Sequence, residues 1–103
     1  MATLEELTGK IREGVGEDSG LKKTLKFDFG ADGKIYIDGV AVPNTVSNED
    51  LPADCTVAVK FSDFIAMSEG KLDAMMAFMQ GKMRVQGDMT VAQKLTPILK
   101  KLQ

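Results

Sequence analysis

Apolar residues near the start of the chain recur at the spacing of an α-helix. The apolar set is Leu4, Leu7, Ile11 and Val15. Thr3 and Glu6 form a candidate capping box before it, and a glycine-rich stretch at 14–20 ends the pattern. We therefore predict a first helix with a single apolar face.

From Leu21 onward the spacing of apolar residues changes to two, which is typical of β-strands with one buried face. Turn formers at 31–34 lead into a second alternating run at 34–39, so we predict a β-hairpin. Three later strands are predicted at 44–47, 55–61 and 82–86. In the last of them, Met83 and Val85 are expected to face the interior.

Capping residues predict two short helices in the second half of the chain. Ser62 is the candidate N-cap of the first, which Gly70 closes. Asp73 is the candidate N-cap of the second, a two-turn helix that stops at Gly81 as its C′ residue.

The last predicted helix begins after Asp88, which is its expected N-cap. Its apolar stripe consists of Val91, Leu95, Ile98 and Leu102. Pro97 interrupts the pattern, because proline lacks an N–H and crowds the preceding turn. Thr96 followed by Pro97 is also a good start for a helix. The sequence thus leaves two alternatives here, a kink or a new short helix.

Length and composition favour a single globular domain over residues 1–103, with 44% hydrophobic and 27% charged residues. The net charge is -2 and the basic residues form no cluster, so nucleic acid is not an expected partner. No apolar run approaches the length of a membrane-spanning helix, and the start of the chain lacks a signal-peptide core. We expect a cytoplasmic protein.

The residue types needed for most catalytic and metal sites are scarce. The chain has no histidine and one cysteine, and its carboxylates are scattered or adjacent in sequence, so we predict no metal, no cofactor and no catalytic residue. Cys55 lies in an alternating run, where a small buried hydrophobe is the simpler interpretation. We therefore do not expect an enzyme.

Methionine is concentrated in one part of the chain, since residues 73–89 hold five of its seven methionines. Methionine fills irregular gaps in protein cores, and its flexible, polarisable side chain also recurs at binding sites that accept ligands of varied shape. The pattern alone does not choose between core packing and a binding wall.

A resemblance bears on that choice. Residues 70–95 resemble the C-terminal part of the sterol carrier protein type 2 family, the nonspecific lipid-transfer domains, whose pattern is G-K-L-D-x-x-x-A-F-M-x-G-K-x-x-x-x-G-D-M. The matching positions are Gly70, Lys71, Leu72, Asp73, Ala77, Phe78, Met79, Gly81, Lys82, Gly87, Asp88, Met89 and Leu95. The hairpin and the strand-helix unit upstream are also similar to the family, so the resemblance covers nearly the whole chain.

The resemblance implies an α/β (α+β) fold, with a five-stranded mixed, largely antiparallel sheet that helices cover on one face. It also implies an elongated apolar cavity between the layers, which holds a fatty acid, a fatty acyl-CoA or another lipid without converting it. The chain lacks the hairpin tryptophan of many eukaryotic members, and it ends in KKLQ and not in a peroxisomal signal of the S-K-L type. These departures favour a bacterial cytoplasmic member and make a sterol the weaker candidate ligand.

Twelve apolar residues are expected to line the cavity. They are Phe64, Met75, Met76, Phe78, Met79, Met83, Val85, Met89, Val91, Leu95, Ile98 and Leu99. Gln80, Gln86 and Gln93 are either head-group contacts or ordinary surface residues. The segment after Pro97 is a candidate flap.

The expected partners are the lipid itself and, beyond it, a membrane surface or a partner enzyme, with the chain a monomer or a weak homodimer. Two other classes of function stay open. The chain could be an accessory subunit that delivers lipid to an enzyme, or an interaction module that dimerises through the Met-rich helices and binds no lipid.

Overall fold

The computed structural model of the chain describes residues 3–16 and 20–100, with the backbone alone for Leu95, Thr96 and Lys100. The strands are β1 (Thr24–Asp28), β2 (Lys34–Asp38), β3 (Thr45–Ser47), β4 (Cys55–Val59) and β5 (Met83–Gly87). The helices are α1 (Leu4–Val15), α2 (Phe61–Ser68), α3 (Ala74–Met79), α4 (Met89–Gln93) and α5 (Leu95–Lys100), and a 3-10 turn at Gly30–Asp32 joins β1 to β2.

The five strands form one mixed sheet in the order β3-β2-β1-β4-β5. Neighbouring strands are antiparallel except for the central pair, β1 and β4, which is parallel. In this register Phe27 of β1 lies between Ile35 of β2 and Val57 of β4. The five-stranded, largely antiparallel sheet is therefore confirmed, and β5 lies at one edge of it.

The sheet buries one face, as the alternation of apolar residues predicts. Its buried side chains are Leu25, Phe27, Ile35, Ile37, Val46, Cys55, Val57, Val59 and Met83. The opposite face carries polar residues such as Lys26, Tyr36 and Arg84. Apolar residues of the helices join the same core, among them Ile11 and Phe64. The helices thus cover one face of the sheet, which confirms the predicted layer arrangement.

Aromatic packing fixes α2 over the ends of β1 and β4. The ring of Phe64 lies 4.6 Å from that of Phe27 and 5.3 Å from that of Phe29, and Phe61 meets Phe29 edge-on at 5.3 Å. Because Phe61 packs here directly after β4, the helix begins at Phe61 with Lys60 as its N-cap. The prediction that Ser62 is the N-cap is wrong, since tertiary packing places Ser62 inside the first turn.

The predicted caps at Thr3, Asp73 and Gly81 are confirmed. The Thr3 hydroxyl accepts the N–H of Glu6 at 3.2 Å, and the Asp73 carboxylate accepts the N–H of Met76 at 3.3 Å. At the end of α3, Gly81 adopts a φ of 74°, and the N–H of Lys82 donates to the Ala77 carbonyl at 2.9 Å. This pattern is a Schellman motif, which satisfies carbonyls at a helix end.

The helical conformation is interrupted between α4 and α5. Of the two alternatives for the Pro97 region, the new short helix is therefore the one observed. That helix begins at Leu95, two residues earlier than the Thr96 cap would require. Pro97 therefore lies in the first turn of α5, where an N–H has no intrahelical acceptor and its absence costs little. The side chains of Leu95 and Thr96, and Leu102 as a whole, lie outside the described part of the chain.

We expect Phe64→Ala to destabilise the fold by about 3–5 kcal/mol, because Phe64 is 0% exposed and its removal leaves a cavity beside the rings of Phe27 and Phe29. The free energy of unfolding, measured by urea denaturation, checks this. Met76→Ala is the matched control, since Met76 is 48% exposed, and its effect should stay within about 0.5 kcal/mol. Equal effects of the two substitutions would contradict the packing described here.

Candidate functional site

An apolar groove of about 300 Å³ lies at the β5 edge of the sheet, between α3, β5 and α4. Its lining consists of Ala74, Met75, Phe78, Met83, Val85, Met89, Ala92 and Gln93. The polar member of this set is Gln93, at the end of α4. The groove can therefore take up an apolar molecule and offers it one amide near the rim.

The groove exists because the helical cover thins out at the edge of the sheet. Val57 of β4 is 0% exposed, whereas Val85, its direct partner on β5, is only half-buried. The helices flanking β5 are short, since α3 spans six residues and α4 spans five. Helices of this length leave part of the apolar face of β5 open to a ligand.

Large apolar side chains on the rim of the groove remain exposed. Met75 is 65% exposed, Phe78 45% and Met89 51%. Contiguous apolar surface of this kind usually marks a binding site, because exposing it to water is unfavourable. The flexible methionine side chains can adjust to a ligand at little cost in strain.

A polar network at the start of α4 fixes the position of Met89. The Asp88 carboxylate accepts the Thr90 N–H at 2.9 Å and the Thr90 hydroxyl at 2.6 Å, and it forms an ion pair with Lys23. The N–H of Asp88 donates to the Asp54 carbonyl at 2.8 Å. The prediction that Asp88 caps this helix is thus confirmed. The network is structural, since capping and the ion pair account for every contact of its carboxylate.

Gly87 precedes this network in a conformation that requires glycine. Its φ is 99°, and a Cβ atom there would lie 2.3 Å from the Asp54 carbonyl oxygen. Side chains are therefore excluded, and the backbones of β5 and of residue 54 can approach closely at the point where α4 begins.

The titratable groups near the groove do not form a reactive site. Hydrogen bonding to Lys23 and to Thr90 holds the pKa of Asp88 well below its usual range, and hydrogen bonds from Thr24 lower the pKa of Asp54. Burial raises the pKa of the Cys55 thiol, which disfavours the nucleophilic thiolate. Among residues 3–16 and 20–100 no three His, Cys, Asp or Glu side chains are grouped closely enough to hold a metal.

None of the helices in the described ranges combines the length and the apolar character that crossing a membrane would require.

Comparison with known proteins identifies the family of the chain. The model of the SCP-2 sterol transfer family matches residues 2–100. The chain belongs to this family. The nematode Caenorhabditis elegans has an SCP-2 relative, non-specific lipid-transfer protein-like 1, that is 33% identical over 99 residues, which cover 87% of this chain and 84% of the relative.

Human sterol carrier protein 2 is 42% identical over 52 residues, which are 50% of this SCP-2 chain but only 10% of the human protein. Among solved structures, the apo form of sterol carrier protein 2 from Yarrowia lipolytica superimposes with a TM-score of 0.78 at 22% identity, covering 95% of this chain and 90% of the other. At that identity the likeness shows the fold alone, and it agrees with the sheet and helices described above.

The SCP-2 fold brings five of the twelve predicted site residues together in the groove. These are Met75, Phe78, Met83, Val85 and Met89. Four others are buried in the core, namely Phe64, Val91, Ile98 and Leu99. Met76 and Met79 are exposed on α3 outside the groove lining, and the side chain of Leu95 lies outside the description. The role of these residues in binding stays a prediction.

The groove lining includes two residues outside the predicted set, Ala74 and Ala92, and it also includes Gln93, for which the sequence leaves a head-group contact or an ordinary surface position open. Helical spacing is the sequence feature that indicates the two alanines as lining residues, since Ala74 precedes Phe78 by four residues and Ala92 follows Met89 by three. Small side chains on the same helix face leave room for a ligand between larger ones. Gln80 and Gln86, the other candidate head-group contacts, are exposed and do not line the groove.

Acid is expected to weaken the fold through Asp88. Because the folded-state pKa of Asp88 is lowered, its stabilising effect is complete above the ordinary carboxylate pKa of about 4 and is lost as the pH falls through the folded-state pKa. Asp88→Asn should therefore lower the melting temperature at neutral pH and make its decrease below about pH 4 less steep. Thermal denaturation across this pH range measures both effects.

The control for this prediction is Asp32→Asn. Asp32 is exposed in the turn between β1 and β2, and within the described residues its carboxylate has neither a hydrogen bond nor an ion pair. This substitution should leave the pH profile unchanged. Identical profiles for the wild type and Asp88→Asn would show that the network does not contribute to acid sensitivity.

Proposed function

We propose that this chain binds the acyl chain of a lipid in the groove and carries it without chemical conversion. The observation that carries the proposal is the apolar lining of a groove of about 300 Å³ in a member of the SCP-2 family. Relatives are named as a lipid-transfer protein and a sterol carrier protein, which supports a lipid as the class of ligand.

A linear acyl chain suits this groove better than a rigid sterol. The groove runs between two short helices whose methionines can follow the bends of a flexible chain. Each buried methylene contributes about 0.8 kcal/mol, so roughly ten of them offset much of the 4–15 kcal/mol that association costs. We therefore propose fatty acids and fatty acyl esters as ligands.

The polar group at the rim of the groove suits a carrier protein that binds the head group of its lipid weakly. The Gln93 amide can donate a hydrogen bond to a carboxylate or an ester carbonyl, and it is neither a nucleophile nor a base at neutral pH. No acid-base pair lines the groove among the described residues. Release of the ligand unchanged follows from this chemistry. The cytoplasmic location and delivery to a partner enzyme stay predictions.

Met75→Glu should weaken the binding of a fluorescent long-chain fatty acid at least about tenfold, because a carboxylate in the lining must be desolvated when the acyl chain enters. Met79→Glu is the matched control. It places the same charge one turn further along α3, at a residue that is 73% exposed and lies outside the groove lining. Titration by fluorescence, with displacement by palmitate, measures the affinity of each variant.

Both side chains are solvent-exposed, so both variants should keep the melting temperature of the wild type within a few degrees. If Met75→Glu and Met79→Glu bind the fatty acid with equal affinity, the ligand binds outside the groove. Absence of binding in the wild type would refute the proposed function itself.

A further inference from the structure

We propose that two copies of this chain associate through antiparallel pairing of their β5 strands, with Val85 beside the two-fold axis. The sheet has two edges, β3 at one side and β5 at the other, and they differ in how their backbone groups are satisfied. Pairing at β5 would join the two sheets into one continuous sheet. The proposal goes beyond lipid binding and does not depend on it, because it concerns the edge of the sheet and is tested by oligomeric state.

The β3 edge is short and bonded to a helix. β3 has three residues, and the guanidinium group of Arg12 on α1 donates a hydrogen bond to the Val46 carbonyl at 2.9 Å. A short edge strand that a side chain engages is a common protection against pairing with another chain. We therefore do not expect β3 to add a further strand.

The β5 edge is longer and its outward backbone groups are open. The Asp88 N–H donates to the Asp54 carbonyl at 2.8 Å, which continues the antiparallel register of β4 and β5. Because inward and outward backbone groups alternate along a strand, those of Met83, Val85 and Gly87 point away from β4. Residues 3–16 and 20–100 supply no hydrogen bond to these outward groups. Such an edge is a template for a further strand.

The positions of the outward groups select one register for two paired copies of β5. With Val85 opposite Val85, Met83 lies opposite Gly87 of the second copy, so every outward residue has a partner and each pair exchanges two N–H···O=C bonds. Moving the axis to Arg84 or to Gln86 would leave the groups of one outward residue unpaired. An axis at Arg84 would also place two guanidinium groups opposite each other, which is destabilising.

The side chains are self-complementary in the register with Val85 on the axis. Arg84 and Gln86 are exposed on the polar face, and each would lie opposite the other residue of the second copy. The guanidinium group can donate to the amide oxygen in both of these cross-strand pairs. Beyond the strand ends, Lys82 would lie opposite Asp88 of the second copy, which places opposite charges together.

The exposed rim of the groove favours a second copy over an extended peptide as the occupant of the edge. A two-fold axis perpendicular to the sheet keeps the helices of both copies on one face. It sets α3, which precedes β5, beside α4 of the second copy, which follows β5. Met75 is 65% exposed and Met89 is 51% exposed, so their contact would remove apolar surface from water. A lone peptide strand would leave this surface uncovered.

The two-fold arrangement also ends the assembly at two chains. An isologous interface uses the same surface of both copies and leaves none of it free. The edges that remain are the two copies of β3, which Arg12 engages. The proposal is therefore a dimer and not a fibre.

The first test is sedimentation velocity of the whole chain between about 10 μM and 1 mM. The mass of the wild type should rise from that of one chain towards that of two. Gln86→Glu should tighten the dimer about fivefold, because a carboxylate would face Arg84, and Gln86→Lys should weaken it about fivefold. Thr45→Glu and Thr45→Lys are the matched controls, since they place the same charges on an exposed residue of β3, and they should leave the dimer unchanged.

The second test is cross-linking at the axis. In Val85→Cys the two new thiols would lie on a pair of residues whose Cα atoms are about 5.5 Å apart, within the range of a disulfide. Oxidation with diamide should therefore give a covalent dimer. Gln86→Cys is the control, because it lies opposite Arg84 and should form far less of it. The native Cys55 is 0% exposed and should stay reduced.

Three outcomes would overturn the proposal. They are a wild type that stays monomeric at about 1 mM, equal effects of Gln86→Glu and Gln86→Lys, and equal cross-linking of Val85→Cys and Gln86→Cys. A monomeric chain would leave the edge to an extended peptide of another protein. If the melting curve shows that Val85→Cys does not fold, the two Gln86 charge variants decide, since Gln86 is exposed and both should fold.

Discussion

One-sided burial of the sheet is the constraint on which the rest of the structure depends. Alternating side chains place every large apolar residue of the strands on one face, and that face must be covered by helices to exclude water. The cover is complete over the centre, where Phe27 and Val57 are 0% exposed, and it is incomplete at β5. The apolar groove therefore lies at the edge of the sheet that the helices do not fully cover.

The helices around that site are too short to be stable alone, and local capping holds them in place. Isolated helices of fewer than about 12 residues are marginal in water, whereas α3 and α4 have six and five. The caps at Asp73 and Asp88 and the Schellman motif at Gly81 supply hydrogen bonds that these short elements lack internally. The chain thereby keeps an apolar groove open beside a well-packed core, with methionine side chains that adapt to the contents of the groove.

Much of this architecture is visible in the sequence, because its signals are local. Alternation marks the strands and their inner faces, and Asp73, Gly81 and Asp88 mark helix ends by side-chain chemistry and backbone conformation. The prediction that Ser62 caps α2 is wrong although serine is a good capping residue, because the packing of Phe61 on Phe29 makes the helix begin at Phe61. Packing of this kind involves residues distant in sequence, so no local pattern reports it.

The sequence by itself determined the five strands, the buried face of the sheet, most of the helix ends, and a resemblance that names the family. Only the tertiary structure decided which of those apolar residues pack against each other and which line the groove. Phe64 and Phe78 look alike as apolar residues on short helices, yet Phe64 is buried among rings while Phe78 is 45% exposed at the rim. The physical reason is that periodicity fixes the direction of a side chain, whereas its burial depends on what the rest of the chain places opposite it.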